Sequence, residues 1–130
     1  MNQENYGTLE PCKKLADAGI VLTTDFVWYV NGAGWKLSTR DWVENVVSVK
    51  YEVIPAPTLA EVWIELPQDI LHNAMVCSLM MWKFNKGVYT EVGYWWHDQI
   101  IKSITMENST DAAINLLIWL KEKGLYHAHK

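Results

Sequence analysis

The sequence predicts an α+β fold, an antiparallel sheet of about five to six strands with three helices in the order α-β-β-β-α-β-β-(β)-α. Three observations predict it. Segments that alternate with period two are joined by short Asn/Gly turns, as hairpins require. Segments with period 3.6 lie before, between and after them, bounded by capping residues and Pro or Gly. At 130 residues and 50% hydrophobic, the chain suits a single globular domain over residues 1–130, and no linker, low-complexity tract or charge block divides it.

The elements follow in order. Cys12, Leu15, Ala16 and Gly19 recur at helical spacing after Thr8, with Pro11 in the first turn where proline is tolerated. The spacing predicts a helix capped by Thr8 and ended at Gly19. In "TTDFVWYVNGAGWKLST" Phe26, Trp28 and Val30 alternate with Val27 and Tyr29 up to an Asn-Gly, and Trp35, Leu37 and Thr39 resume the alternation. That is a hairpin. "VVSVKYEV" places Val47, Val49, Tyr51 and Val53 on one face and Ser48, Lys50 and Glu52 on the other, a strand that "IPAPT" breaks. Thr58 and Glu61 then form a capping-box signature, and Leu59, Val62, Trp63 and Leu66 make an apolar stripe closed by Pro67.

A second hairpin, "AMVCSLMMWKF" and "VYTEVGYWW", turns around Asn85, Lys86 and Gly87, and a conditional short strand runs from Ile100 to Met106. The last helix begins near Ser109 or Thr110, carries Ala113, Leu116, Leu117 and Leu120 inward, and ends at Gly124.

Charge and composition exclude several functions. A net charge of −4 with 11 scattered Lys and Arg residues leaves no basic footprint for a phosphate backbone, so the sequence predicts no nucleic-acid partner. No apolar run reaches the ~18 residues of a membrane span, and "MNQENYGTLEPC" lacks the n- and h-regions of a signal peptide. The expectation is a cytoplasmic protein with no membrane partner. Cys12 and Cys77 have no C-x-x-C or zinc spacing and read as small apolar residues.

Catalytic and metal signatures are lacking. "NGAGWKLST" does not meet the phosphate-loop pattern, and G-x-S-x-G and H-E-x-x-H do not occur. His97 and Asp98 are adjacent, so in a strand they point to opposite faces and cannot form an acid-base pair. His127 and His129 sit at the chain end without further ligands. The reading is a non-enzyme with no catalytic residue, no metal site and no cofactor.

Eight tryptophans and six tyrosines exceed ordinary usage, and such rings either fill cores or make recognition surfaces. "EVGYWWHDQI" concentrates the question. With a three-residue loop Asn85 to Gly87, Phe84 faces Val88, and Val76, Met80, Trp82, Val92, Tyr94 and Trp96 share an apolar face. The mixed face then holds Met75, Cys77, Leu79, Met81 and Lys83 opposite His97, Trp95, Gly93, Glu91 and Tyr89. Either a helix covers that mixed face or it is a concave binding surface, with Trp95 and Tyr89 as stacking rings and Glu91 or Lys83 selecting by charge. Ile118 and Trp119, in and beside the polar stripe Asp111, Asn115 and Glu122, add a candidate protein contact on the last helix.

Three stretches, "LADAGIVLTTDFVWY", "YEVIPAPTLAEVWIELP" and "DAAINLLIWLKEKG", about a third of the chain, resemble a loosely defined group of small uncharacterised proteins of phages and prophages of gut bacteria. The resemblance implies a phage or mobile-element origin and a shared fold, and carries over no activity or site residue.

Together these readings predict a small binding protein. It would meet a host or self protein, the latter as a homo-oligomer, in the manner of an inhibitor or adaptor. The alternatives are sequestration of a nucleotide-like small molecule in an aromatic pocket, for which Lys36, Lys50, Lys83 or Arg40 would have to converge, and an enzyme with an unrecognised site.

Overall fold

The computed structural model describes residues 6–31, 34–45 and 52–126. The order is α1 (Leu9–Asp17), β1 (Phe26–Asn31), β2 (Gly34–Thr39), α2 (Arg40–Asn45), β3 (Val53–Pro55), α3 (Leu59–Glu65), β4 (Asp69–His72), β5 (Met75–Phe84), β6 (Tyr89–Trp96), β7 (Gln99–Met106) and α4 (Ser109–Glu122). The class is α+β with every strand pairing antiparallel, but the strands form two sheets, ordered β2-β1-β3 and β4-β5-β6-β7. The expected single sheet with three helices is corrected to seven strands and four helices among the described residues. Most of "VVSVKYEV", the Gly32–Ala33 turn, His127 and His129 lie outside the described residues. "IPAPT" does not break the strand at once, since Ile54 and Pro55 pair with Trp28 and Val27.

α1 ends as its Gly19 predicts. Gly19 adopts a φ of +81°, and the Ile20 amide returns to the Leu15 carbonyl at 3.2 Å, closing the last turn. Thr58 and Glu61 form the full capping box of α3, with Glu61 N donating to Thr58 Oγ1 and Thr58 N donating to Glu61 Oε1.

α4 is the central element. Ala112, Ala113, Ile114, Leu116, Leu117 and Leu120 are fully buried, because α4 lies across β6 and β7 while α1 and α3 pack on its other sides. The main core joins them to Cys12, Leu15, Ile54, Val62, Ile70, Cys77, Val92 and Tyr94, so both sheets contribute to one interior. A smaller cluster, Val27 and Tyr29 under Val43 of α2, covers the opposite side of β1.

Residues 6–8 are fastened to that core. Gly7 donates its amide to the Pro57 carbonyl and accepts from Trp28 Nε1, while Asp111 accepts from both the amide and the hydroxyl of Thr8, at 2.8 and 2.6 Å. Thr8 occupies the N-cap position of α1, but its hydroxyl serves Asp111 instead of the helix. Asp111, expected on the polar stripe of α4, is buried. A Cβ on Gly7 would meet Ile114 Cδ1 and Cys12 Sγ, so a larger residue there would require those packed side chains to shift.

Candidate functional site

The register of the β5–β6 hairpin decides which residues share a surface. The turn has four residues, Asn85 to Val88, closed by Val88 N donating to the Asn85 carbonyl, and Phe84 pairs with Tyr89. A three-residue loop with Phe84 opposite Val88 is therefore corrected. One residue of slip leaves β6 facing as expected and turns all of β5 over. Cys77, Leu79 and Met81 join Val92 and Tyr94 on the inner face beneath α4, and Val76, Met80 and Trp82 move to the outer face.

That outer face has no helix on it among the described residues: α4 packs on the inner side of β6 and β7, and α2 on β1 and β2. Its positions are Asp69 and Leu71 of β4, Val76, Ser78, Met80, Trp82 and Phe84 of β5, Tyr89, Glu91, Gly93 and Trp95 of β6, and Ile100, Ser103 and Thr105 of β7. Leu71, Val76, Met80, Trp82, Phe84 and Ile100 are exposed there, Leu71 and Val76 by more than 60%. Six exposed large apolar side chains on one sheet face exceed the single scattered residues that soluble proteins carry without consequence.

Two aromatic pairs order this surface. Phe84 stacks on Tyr89 with centroids 5.7 Å apart, and Trp82 meets Trp95 at 4.7 Å and a 50° tilt. Trp82 sits opposite Glu91 and Trp95 opposite Ser78, so the two rings reach toward each other over the intervening Met80–Gly93 row. Gly93 makes this possible. β6 and β7 shift register at Tyr94/Trp95, and a Cβ on Gly93 would collide with the Lys102 carbonyl and Ser103 Cα, so no side chain occupies the row between the rings on β6. Trp95 is thereby only 6% exposed although it faces outward.

The seven residues singled out by sequence separate into groups. Tyr89, Glu91 and Trp95 share the outer face. Lys83 pairs with Thr90 and belongs to the inner side of the sheet, at its exposed end. His97 is not on the strand. It lies exposed in the turn between β6 and β7 with φ +55° and sets its ring edge-on to Trp96 at 4.5 Å. Ile118 and Trp119 are half-buried against the core instead of exposed, and Trp119 lies between His72, at 6.2 Å, and the Lys102 ammonium, at 5.9 Å. Met80, Trp82, Phe84, Val76, Leu71 and Ile100 were missed as surface residues. Their signal is the aromatic cross-strand pair Phe84–Tyr89, which a four-residue turn makes and a three-residue turn breaks.

The buried ionisable groups are structural. Burial, and secondarily Asp111, push the Cys12 thiol up to about 12, and burial raises Cys77, so both are weak nucleophiles; both are unpaired. Tyr94 is raised by burial and by Asp69, and its hydroxyl donates to the Pro67 carbonyl at 2.7 Å. Among the described residues no cluster of His, Cys, Asp and Glu could hold a metal ion, and no helix is long and apolar enough to cross a membrane. A cleft of about 290 Å³ between Val21, Ile64, Glu65 and Tyr126, and one of about 260 Å³ around Thr24 and Arg40, both lie away from the outer face. Arg40 in the second is engaged by Thr24 and Glu44. Comparison with protein-family models, with curated proteins and with solved structures finds no match for this chain.

Proposed function

We propose that this protein acts by binding another protein through the outer face of the β4–β7 sheet, as a phage or mobile-element accessory factor that inhibits or adapts a host protein in the bacterial cytoplasm. The observation that carries the reading is the set of exposed apolar side chains Leu71, Val76, Met80, Trp82, Phe84 and Ile100 on one face, with its two aromatic pairs, on a sheet whose other face is already filled by α4. Rigid aromatic side chains held on strands give contact area at low entropic cost, which is the make-up of interface centres. The resemblance to phage and prophage proteins supports the host context. A small-molecule pocket has less support, because the clefts described above do not include Trp95 or Tyr89.

Met80 is central to the face and 44% exposed. Met80→Lys should therefore leave the melting temperature nearly unchanged while abolishing affinity capture of a defined host protein from bacterial lysate, or self-association measured by light scattering. Capture that is equal for both proteins, or a monomeric wild type that captures nothing, would rule the reading out.

A further inference from the structure

Building on that reading, we infer that the outer face recognises a cationic side chain, an Arg or Lys flanked by apolar residues on a partner polypeptide, seated on the exposed Trp82 ring beside Glu91, with the buried Trp95 ring packed behind it. The charge of the face points to this. None of its outward strand positions is Lys or Arg, whereas two are acidic: Glu91 is the direct neighbour of Trp82, and Asp69 lies in the same row as Trp95, two strands away across Ser78. Glu91 is the direct cross-strand partner of Trp82, which brings their Cβ atoms to roughly 4.5–5.5 Å. Asp69 pairs with Ser78, whose hydroxyl donates to it at 3.0 Å, and Ser78 in turn pairs with Trp95. The Trp82 ring, packed at 4.7 Å on Trp95, therefore has one carboxylate on the neighbouring strand, and Asp69 adds a second negative charge to the same face.

Indole faces attract cations through their quadrupole, and a neighbouring acidic group adds to that attraction where apolar contacts keep water out. An acidic or phosphorylated segment meets only repulsion here. A second copy of this chain, face to face, would set acidic groups against acidic groups with no Lys or Arg among the outward strand positions of either, so charge complementarity selects a basic partner over self-association. Leu71, Val76 and Ile100 at the margins take the apolar neighbours of the cation.

The test is selection of a displayed random peptide library on the full chain. Enriched peptides should carry Arg or Lys between apolar residues. Replacing that residue by Gln should weaken binding about tenfold, and Glu91→Gln should weaken it about threefold while leaving the folded spectrum unchanged. Enriched peptides that bind the outer face, shown by loss on Met80→Lys, but are neutral or acidic, or whose affinity survives Arg→Gln, would overturn the cation assignment and leave the proposed function standing. Peptides indifferent to both Met80→Lys and Glu91→Gln, or no enrichment at all, would overturn both.

Discussion

The two faces of the β4–β7 sheet are made of similar residues and have different fates. Inward lie Cys77, Leu79, Met81, Val92, Tyr94 and Ile104 under α4; outward lie Val76, Met80, Trp82, Phe84, Tyr89 and Trp95, over which no helix packs among the described residues. Hydrophobicity does not distinguish them. What distinguishes them is coverage, and the polar groups follow coverage: Tyr94 has its hydroxyl bonded to Pro67, whereas the outer face adds Glu91, Asp69 and Ser78 around its rings. An apolar surface that folding leaves uncovered costs solubility, so its persistence needs a use, and recognition is the use proposed here.

The largest expected effect tests the inner side of this comparison. Tyr94 is fully buried and hydrogen-bonded, so Tyr94→Ala should cost about 3–5 kcal/mol in denaturant unfolding. Trp82→Ala removes a larger ring from the outer face, but one that is 37% exposed and whose main aromatic contact is Trp95, so it should cost about 1 kcal/mol. Equal losses would mean that the outer face is covered in solution. Trp95, at 6% exposure, is more buried than the half-buried Trp96. Outward direction and exposure thus part company at that residue.

A middle effect concerns how α4 is held over the inner face. Asp111 at its start accepts two hydrogen bonds from Thr8, and Asp111→Ala should cost about 1–3 kcal/mol by leaving the Thr8 amide unsatisfied. Burial raises the Asp111 carboxyl above its ordinary 3.8, with the Thr8 bonds opposing. The folded chain therefore keeps a proton over a pH range in which the unfolded chain has lost it. The stability this group contributes is full below pH 3.8 and falls as pH rises through the folded value. In Asp111→Asn the amide can accept from Thr8 N and donate to Thr8 Oγ1, so this variant should lose that pH dependence, match the wild type at acid pH where the carboxyl is protonated, and exceed it at neutral pH. Chemical denaturation across the acid range would reveal a variant that keeps the slope.

How far these features could be read from sequence depends on the range of the interaction that sets them. Local signals were legible: the Thr58–Glu61 capping box, the Gly19 helix end and the β1–β2 alternation are all decided within a few residues. β5 was not, because residues 75–84 are apolar at both parities and only the length of the following turn chooses a face. α2 is six residues long, marked chiefly by Thr39 Oγ1 accepting from Trp42 N, and β4 is four residues joined to β5 through Asn73 and Ala74, both at positive φ without a glycine to announce the turn. Asp111 looked like a solvent-facing helix residue because its partner Thr8 is 103 positions away. Of the candidate site, Tyr89, Glu91 and Trp95 were legible as one strand face. Trp82 and Met80 were not, for the same reason as β5.

The smallest expected effect gives the cleanest contrast between the faces, since it uses one substitution on two strands of one sheet. Val→Thr keeps the β-branched shape and strand propensity and changes a methyl for a hydroxyl, so its cost reports whether water reaches the site. Val92 has no exposed surface and lies between Met81 and Ile104 on the inner face, where a new hydroxyl must be buried among apolar neighbours. Val92→Thr should cost about 1–3 kcal/mol. Val76 is 63% exposed on the outer face, where water can hydrogen-bond the hydroxyl, and Val76→Thr should fall within about ±0.5 kcal/mol. Once a partner protein is bound, Val76 becomes an interior position in its turn. Val76→Thr should then weaken the complex severalfold while the free protein unfolds unchanged, and a variant that alters folding but not binding would place Val76 under cover and remove it from the interface.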